Sequence, residues 1–391
     1  MKSIRVFLPV LASVWFALAA SAAPTDPLET GFLNPPDSAK PQTWWHWMNG
    51  NITKEGITAD FEAMKQIGLG GATIVNVDSG IPRGPVNFMS PEWREDFKFA
   101  MQEANRLGLE MCVENCAGWS SSGGPWNTVT NAMQRVTTSE MRVTGPTNFS
   151  ATLPQPSTTL NFYRDIAVLA FPALDAGATI ANLDAKDGRN GRAVLSSPTV
   201  GDSTAGAVQR RQIVDLTSKL TADGKLNWRV PAGEWVILRL GYTPTGAKNH
   251  PAPVEGTGLE CDKFSKVALD AHWAGFMQKI LDDIGPLAGK TLDSSLIDSY
   301  EVGGQNWTKD FRAEFKKRRG YDPLKFLPAF TGRVVDNPAV SERFLWDVRR
   351  TIADLFAENY FGHFAELCRR HGLMNAVEPY TGPFESLQSG A

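Results

Sequence analysis

Between Gln42 and Glu114 five segments alternate strand-like and helix-like patterning, and this alternation narrows the possible folds more than any other feature of the chain. Gln42–Met48 is rich in aromatic residues and reads as a strand. Thr53 then caps a helix whose apolar positions Ile57, Phe61, Met64 and Ile67 recur every three or four residues until Gly68 stops it. Ala72–Val77 is a β-branched run of the fully buried kind. Ser90-Pro91 supplies the cap and first turn of a second helix; Trp93, Phe97, Met101, Ala104 and Leu107 line its inner face and Gly108 closes it. Glu110–Glu114 returns as a third strand. Strands separated by single helices imply parallel βαβ units with right-handed crossovers.

The rhythm breaks from about 127 to 250, where Thr, Val and Asn mix with scattered Pro and Gly, and short strands are predicted at Ile166–Phe171 and Trp235–Tyr242. A β-rich insertion is expected there. Alternation resumes with a helix over Ser265–Ile284, a strand at Leu292–Ser299 and a helix at Thr308–Arg319 ended by Gly320. A long amphipathic pattern from Ser341 to His371 and a strand at Met374–Val377 complete it, giving five strands outside the insertion. The predicted organisation is an α/β part over 23–126, the insertion over 127–250 and an α/β continuation over 251–391.

Lys2 and Arg5 precede an apolar stretch from Val6 to Ala20, with Ala20-Ser21-Ala22 as small residues at the cleavage positions, so residues 1–22 read as a signal peptide. The expected product is exported, periplasmic or secreted, with no membrane span, since no later segment approaches the ~18 apolar residues that one needs. A net charge of −3 with no basic run argues against nucleic acid as a partner. Cys112, Cys116, Cys261 and Cys368 show no zinc-finger spacing; they permit one or two disulfides, and buried thiols or an incidental bridge are the favoured reading. Gly68-Leu-Gly-Gly71 precedes a strand, and Ser122-Gly-Gly-Pro lacks the Lys of a phosphate loop. Ser120–Ser122 sits in no Gly-x-Ser-x-Gly elbow, which sets aside a serine hydrolase.

Two runs carry chemistry. Trp44-Trp45-His46-Trp47-Met48-Asn49-Gly50-Asn51 packs three indoles, an imidazole and two amides into eight residues, and Asn115–Trp126 is a second such run after a candidate strand. Indole faces stack on the C–H faces of a pyranose while amides and imidazole bond its hydroxyls. A single Trp in a chain with 12 is as readily core packing; the two runs together favour a carbohydrate site. Each candidate strand also ends in polar groups: His46 and Asn49, Asn76 and Asp78, Glu114 and Asn115, Asp298 and Glu301, and Glu378.

These runs, with Ile81-Pro-Arg-Gly-Pro-Val, Gly256-Thr-Gly-Leu-Glu-Cys-Asp-Lys263, Asp298-Ser-Tyr-Glu301 and Glu378-Pro-Tyr380, resemble glycoside hydrolase family 106, the α-L-rhamnosidases, over nearly all of the chain after the leader. The resemblance implies a catalytic (β/α)8 TIM-type barrel with β-rich additions, here stopping after about five strands at Ala391. An unclosed barrel leaves raw strand edges. Two expectations follow: an exported enzyme that removes terminal α-L-rhamnose from polysaccharides or glycosides, or a truncated, non-catalytic rhamnoside-binding remnant.

In a parallel barrel the site forms at the C-terminal strand ends. Inversion, as the resemblance implies, needs one carboxylic acid and one carboxylate roughly 6.5–9.5 Å apart. Glu301 is the first catalytic candidate and Glu378 the second; Glu378 is alternatively a ligand of the calcium ion that the resemblance implies near the sugar. The partner carboxylate can also lie past Ala391. Trp44, His46, Trp47, Asn49, Asn115, Trp119, Asp298 and Glu260 are expected around the substrate. For Glu260 and Asp262 a simply solvated loop position is the competing reading.

Overall fold

The computed structural model describes residues 26–174, 179–190, 206–379, 382–384 and 386–390. The predicted signal peptide and Tyr380 lie outside them. The chain divides into two compact units, 1–40 and 41–391. The first contains the helix Pro27–Leu33, capped by the Asp26 carboxylate; all the elements that follow belong to the second.

Five parallel strands form the main sheet: β1 (Gln42–Met48), β2 (Gly71–Val77), β3 (Glu110–Glu114), β8 (Leu292–Ile297) and β9 (Met374–Val377), adjacent in that order. Helix α1 (Lys54–Gln66) joins β1 to β2 and α2 (Pro91–Leu107) joins β2 to β3. The local signals act as expected. The Thr53 and Ser90 hydroxyls accept from Gly56 and Trp93 N–H, and Gly108 ends α2 at φ 64°, a left-handed conformation that suits glycine. Trp45 and Trp47 of β1 point toward these helices; Trp47 meets Trp93 edge-on at 5.5 Å and Phe97 at 6.3 Å. Each such fully buried side chain contributes about 1.5–3 kcal/mol. Ile67, predicted to face inward, is 74% exposed because α1 ends before it.

Between β3 and β8 lies a four-stranded antiparallel sheet. It comprises β4 (Gln134–Thr152), β5 (Arg164–Pro172), β6 (Val214–Asp215) and β7 (Lys225–Pro244), in the order β4-β7-β5-β6. The predicted strands Ile166–Phe171 and Trp235–Tyr242 cover the middle of β5 and the C-terminal part of β7; β4 and β7 in fact run 19 and 20 residues. The two-residue alternation splits β5 and β7 between two cores. Val168, Ala170 and Ile237 join one with Trp228 and Trp235, whereas Ala167, Leu169 and Leu238 join the main core.

The predicted helix Ser265–Ile284 is two helices, α3 (Lys266–Gly275) and α4 (Met277–Ile284), because Phe276 leaves helical geometry at φ −128°, ψ −72°. A Cβ on Gly275 would lie 2.1 Å from the Trp126 ring, so only glycine lets the helix approach that indole. After α5 (Phe311–Arg319), the long amphipathic pattern becomes α6 (Pro338–Leu355), a π-type widened turn at Phe356–Phe361, and α7 (Gly362–Arg370). All four cysteines are free and buried. Among the described residues no helix is long and apolar enough to cross a membrane.

Candidate active site

Register fixes which side chains share the sheet face opposite the helices. His46 pairs with Val75, Thr73 with Cys112, Leu296 with Glu114, and Ile297 with Val377. Alternation then sets Trp44 and His46, Glu114, Asp298 and Glu378 on that one face, at or just past the strand ends.

At one side of it stand three rings. Trp44, 45% exposed, stacks on His46 at 6.4 Å and 21°, and the half-buried Trp119 meets His46 edge-on at 6.3 Å. Three sequence-predicted residues thus come together as an accessible ring cluster. Trp47 does not join them: it faces the helices and is buried, so it offers no face to a ligand. Asn49 is committed as well; its amide donates to the Ile81 carbonyl at 2.7 Å and fastens the loop after β1. In that loop Gly50, at φ 76°, approaches Val86 O so closely that a Cβ would sit 2.1 Å from it.

At the other side carboxyl groups converge. Glu114 is buried, and neither of its carboxylate oxygens meets a donor among the described residues. The polar group beside it is the Asp298 carboxyl, and two carboxyls can bond only through a shared proton. Burial first, then Asp298, with Glu378 adding repulsion, hold Glu114 well above the ordinary carboxylate range. Glu378 continues β9, its N–H bonded to Ile297 O at 2.9 Å. The Asp298 carboxylate accepts the Ser299 N–H at 2.6 Å, while Glu301 is exposed and accepts the Ser299 hydroxyl at 3.1 Å. Glu114, named in the sequence only as a strand-end group, proves to be the buried centre of the carboxyl cluster. Its signal was a lone acid closing the otherwise apolar Met111-Cys112-Val113 run.

The loop after β3 is held from below. Glu260 and Lys263, both buried, pair at 2.6 Å. Glu260 also accepts Ser122 N–H at 2.9 Å and the Ser120 hydroxyl at 3.2 Å, and Lys263 donates to Cys261 O at 3.1 Å. Burial disfavours the Lys263 charge, yet the net shift is upward, and the Glu260 carboxylate in direct contact holds the amine protonated. The solvated-loop reading of Glu260 and Asp262 is therefore corrected: both are buried inside the fold. Asp262 accepts the Thr308 hydroxyl at 2.6 Å, and burial pushes its carboxyl up to about 6. As for Glu260, its carboxylate is turned to Lys263 and the loop rather than to the ring cluster. Tyr360, from the widened turn, bonds the Ser121 and Ser122 hydroxyls at 2.7 and 2.6 Å. Asn115 is likewise internal, donating to Ser121 O and Leu296 O at 2.9 Å. Its carbonyl oxygens accept from His272 Nε2, while His272 Nδ1 accepts the Trp126 N–H. That places a neutral imidazole in the core, its pKa pushed down to about 3 by burial and then by Lys263.

The calcium that the resemblance implies meets a partial fit. The donor-free oxygens of Glu114 beside Asp298 are of the kind a hard cation takes. Among the described residues, however, no three acidic, imidazole or thiol groups converge at ligand distance.

Comparison with known proteins adds three findings. The glycoside hydrolase family 106 model, described as alpha-L-rhamnosidase, matches residues 33–189 and 173–388. A Formosa agariphila protein named "Putative beta-glucuronidase" is 52% identical over 366 residues, which cover 93% of this chain and 31% of that protein. The structure of a rhamnosidase from Novosphingobium sp. PP1Y superposes with a TM-score of 0.85 at 28% identity, covering 93% of this chain and 48% of that one. The chain thus spans less than half the length of either relative.

Proposed function

Because the chain belongs to glycoside hydrolase family 106, the α-L-rhamnosidases, we propose that it acts on rhamnose-containing carbohydrate, releasing terminal α-L-rhamnose with inversion. The observation that carries this reading is the carboxyl cluster Glu114–Asp298–Glu378 on the same sheet face as the Trp44–His46 ring pair, with the half-buried Trp119 against it. Acid–base cleavage of a glycoside requires two carboxyl groups in different protonation states, and burial beside Asp298 holds Glu114 well above the ordinary carboxylate range.

In the proposed mechanism the ring cluster packs on the apolar face of the sugar. Glu301, exposed at the strand end, protonates the leaving oxygen, and Glu378 takes a proton from the attacking water. Asp298 contacts substrate hydroxyls, and Glu114 beneath it carries the shared proton that stops two neighbouring charges from repelling each other. Calcium binding at these acids, completion of the five strands into a (β/α)8 barrel, and export by the leader at 1–22 belong to the same proposal.

A second reading, a rhamnoside-binding module without turnover, keeps the rings and omits Glu301 chemistry. The relative's name favours testing a β-glucuronide as well. The test is hydrolysis of p-nitrophenyl α-L-rhamnoside and β-D-glucuronide by the chain and by Glu301→Gln, with rhamnose binding measured in parallel. Rhamnoside turnover that falls about 10²–10⁴-fold in the variant while binding persists is expected. Unchanged turnover removes Glu301 from catalysis, glucuronide turnover alone replaces the substrate, and binding without turnover selects the module.

A further inference from the structure

Tyr360 touches the loop after β3, and Arg343 lies 17 residues earlier on the same helical run, so α6 carries Arg343 about 25 Å past that level. Two hollows flank Arg343 there. One, about 570 Å³, is walled by Tyr321, Phe326 and Phe344; the other, about 520 Å³, by Trp346, Glu342 and Arg349, and both share Ala339 and Arg343. Each is within the roughly 300–1,000 Å³ range of ligand sites. Trp346 is 52% exposed one turn from Arg343, an uncovered indole on the same helix face.

Most of the charged groups around the groove are already engaged among the described residues. Asp322 holds Arg312 through two bonds, Asp347 accepts the Tyr321 hydroxyl at 2.8 Å, and Glu342 pairs with Lys186 at 2.6 Å. Arg210 is bound to Asp336 and lies over the Phe326 ring at 4.4 Å; Arg349 donates to Lys186 O. Arg343 is exposed and makes no hydrogen bond or ion pair among the described residues, although Asp347 is four residues on. A planar fork of donors left open between aromatic walls fits an anion attached to a ring with apolar faces.

We propose that this groove is a second carbohydrate site, remote from the carboxyl cluster, which takes an acidic sugar with its carboxylate on Arg343 and its ring on the flanking aromatic surface. The choice of carbohydrate rests on the proposed function; the anionic preference rests on Arg343.

The test is titration calorimetry of the whole chain with tetragalacturonate, its methyl ester and a sulfated carrageenan tetrasaccharide, repeated with Arg343→Ala, Arg343→Lys and Trp346→Ala. Expected are binding of tetragalacturonate, about tenfold or greater loss in Arg343→Ala and Trp346→Ala, partial rescue by Lys, and weak binding of the ester. Absence of tetragalacturonate binding, equal binding of the ester, or indifference to Arg343→Ala overturns the proposal; preference for the sulfated ligand overturns its carboxylate part. Rhamnoside hydrolysis, measured alongside, should not respond to Arg343→Ala. Loss of the hydrolase reading with this binding intact, or the reverse, separates the two failures.

Discussion

Removing either member of the Glu260–Lys263 pair should unfold the chain more readily than removing both. Both side chains are buried, and the pair is bonded at 2.6 Å. In Lys263→Met the Glu260 carboxylate keeps Ser122 N–H and the Ser120 hydroxyl; in Glu260→Gln the ammonium keeps uncharged partners, the Cys261 carbonyl and sulfur and the face of the Tyr360 ring. Neither set neutralises a full buried charge, and breaking a buried pair from one side costs about 3–5 kcal/mol. In Glu260→Gln/Lys263→Met no charge remains, the amide can still accept from Ser122 N–H, and a cost of only about 1–3 kcal/mol is expected. The coupling is thus at least ~3 kcal/mol, read from urea denaturation followed by tryptophan fluorescence and circular dichroism at constant m-value. Single variants that each cost under about 1 kcal/mol, or a double variant equal to the sum of the singles, would refute the claim that this pair is a buried, mutually dependent charge pair.

Trp47→Ala is expected to cost about 3–5 kcal/mol in denaturation midpoint terms, whereas Trp44→Ala should cost under about 1 kcal/mol yet weaken rhamnose binding; the opposite assignment would place Trp47 on the ligand side. For His272, the folded pKa of about 3 lies below its ordinary 6.5, so the unfolded chain binds the proton first and this contribution to stability fades as pH falls. Wild type should therefore lose about 3 kcal/mol relative to His272→Gln between pH 7 and pH 4, and parallel stability curves would contradict it. Gly275→Ala should destabilise by about 1–3 kcal/mol through its clash with Trp126, and Gly275→Ala/Trp126→Leu should recover part of the loss, as measured by thermal melting.

The five segments from Gln42 to Glu114 were legible because each carried its own punctuation: Thr53 and Ser90 as caps, Gly108 as a left-handed stop, strong apolar periodicity between them. Face assignment within β1 was not. In Trp44-Trp45-His46-Trp47 every position is aromatic, so the alternation that turns Trp44 outward and Trp47 inward leaves no mark in composition. The length of β4 and β7 was hidden because their outer portions alternate Thr, Asn and charged residues on a half-exposed ribbon. Glu260 and Lys263 stand three apart in an irregular segment, where spacing predicts no contact, and only the fold buries them together. Likewise the meeting of Glu114, Asp298 and Glu378 depends on the register of three strands far apart in sequence.

That separation bears on the order in which the chain can assemble. β3 and β8 are neighbours in the sheet although about 180 residues separate them, and pairing of Gln134 with Pro244 short-circuits about 110 of those residues. Closing the shorter path costs about 0.9 kcal/mol less in chain entropy, although the β4–β7 ribbon must first bring together Thr152 and Lys225, its nearest paired residues, across the segment that carries β5 and β6. Once paired, the inserted ribbon draws β8, with Asp298 behind it, toward the edge of β3 and shortens the search between two strands far apart in the chain.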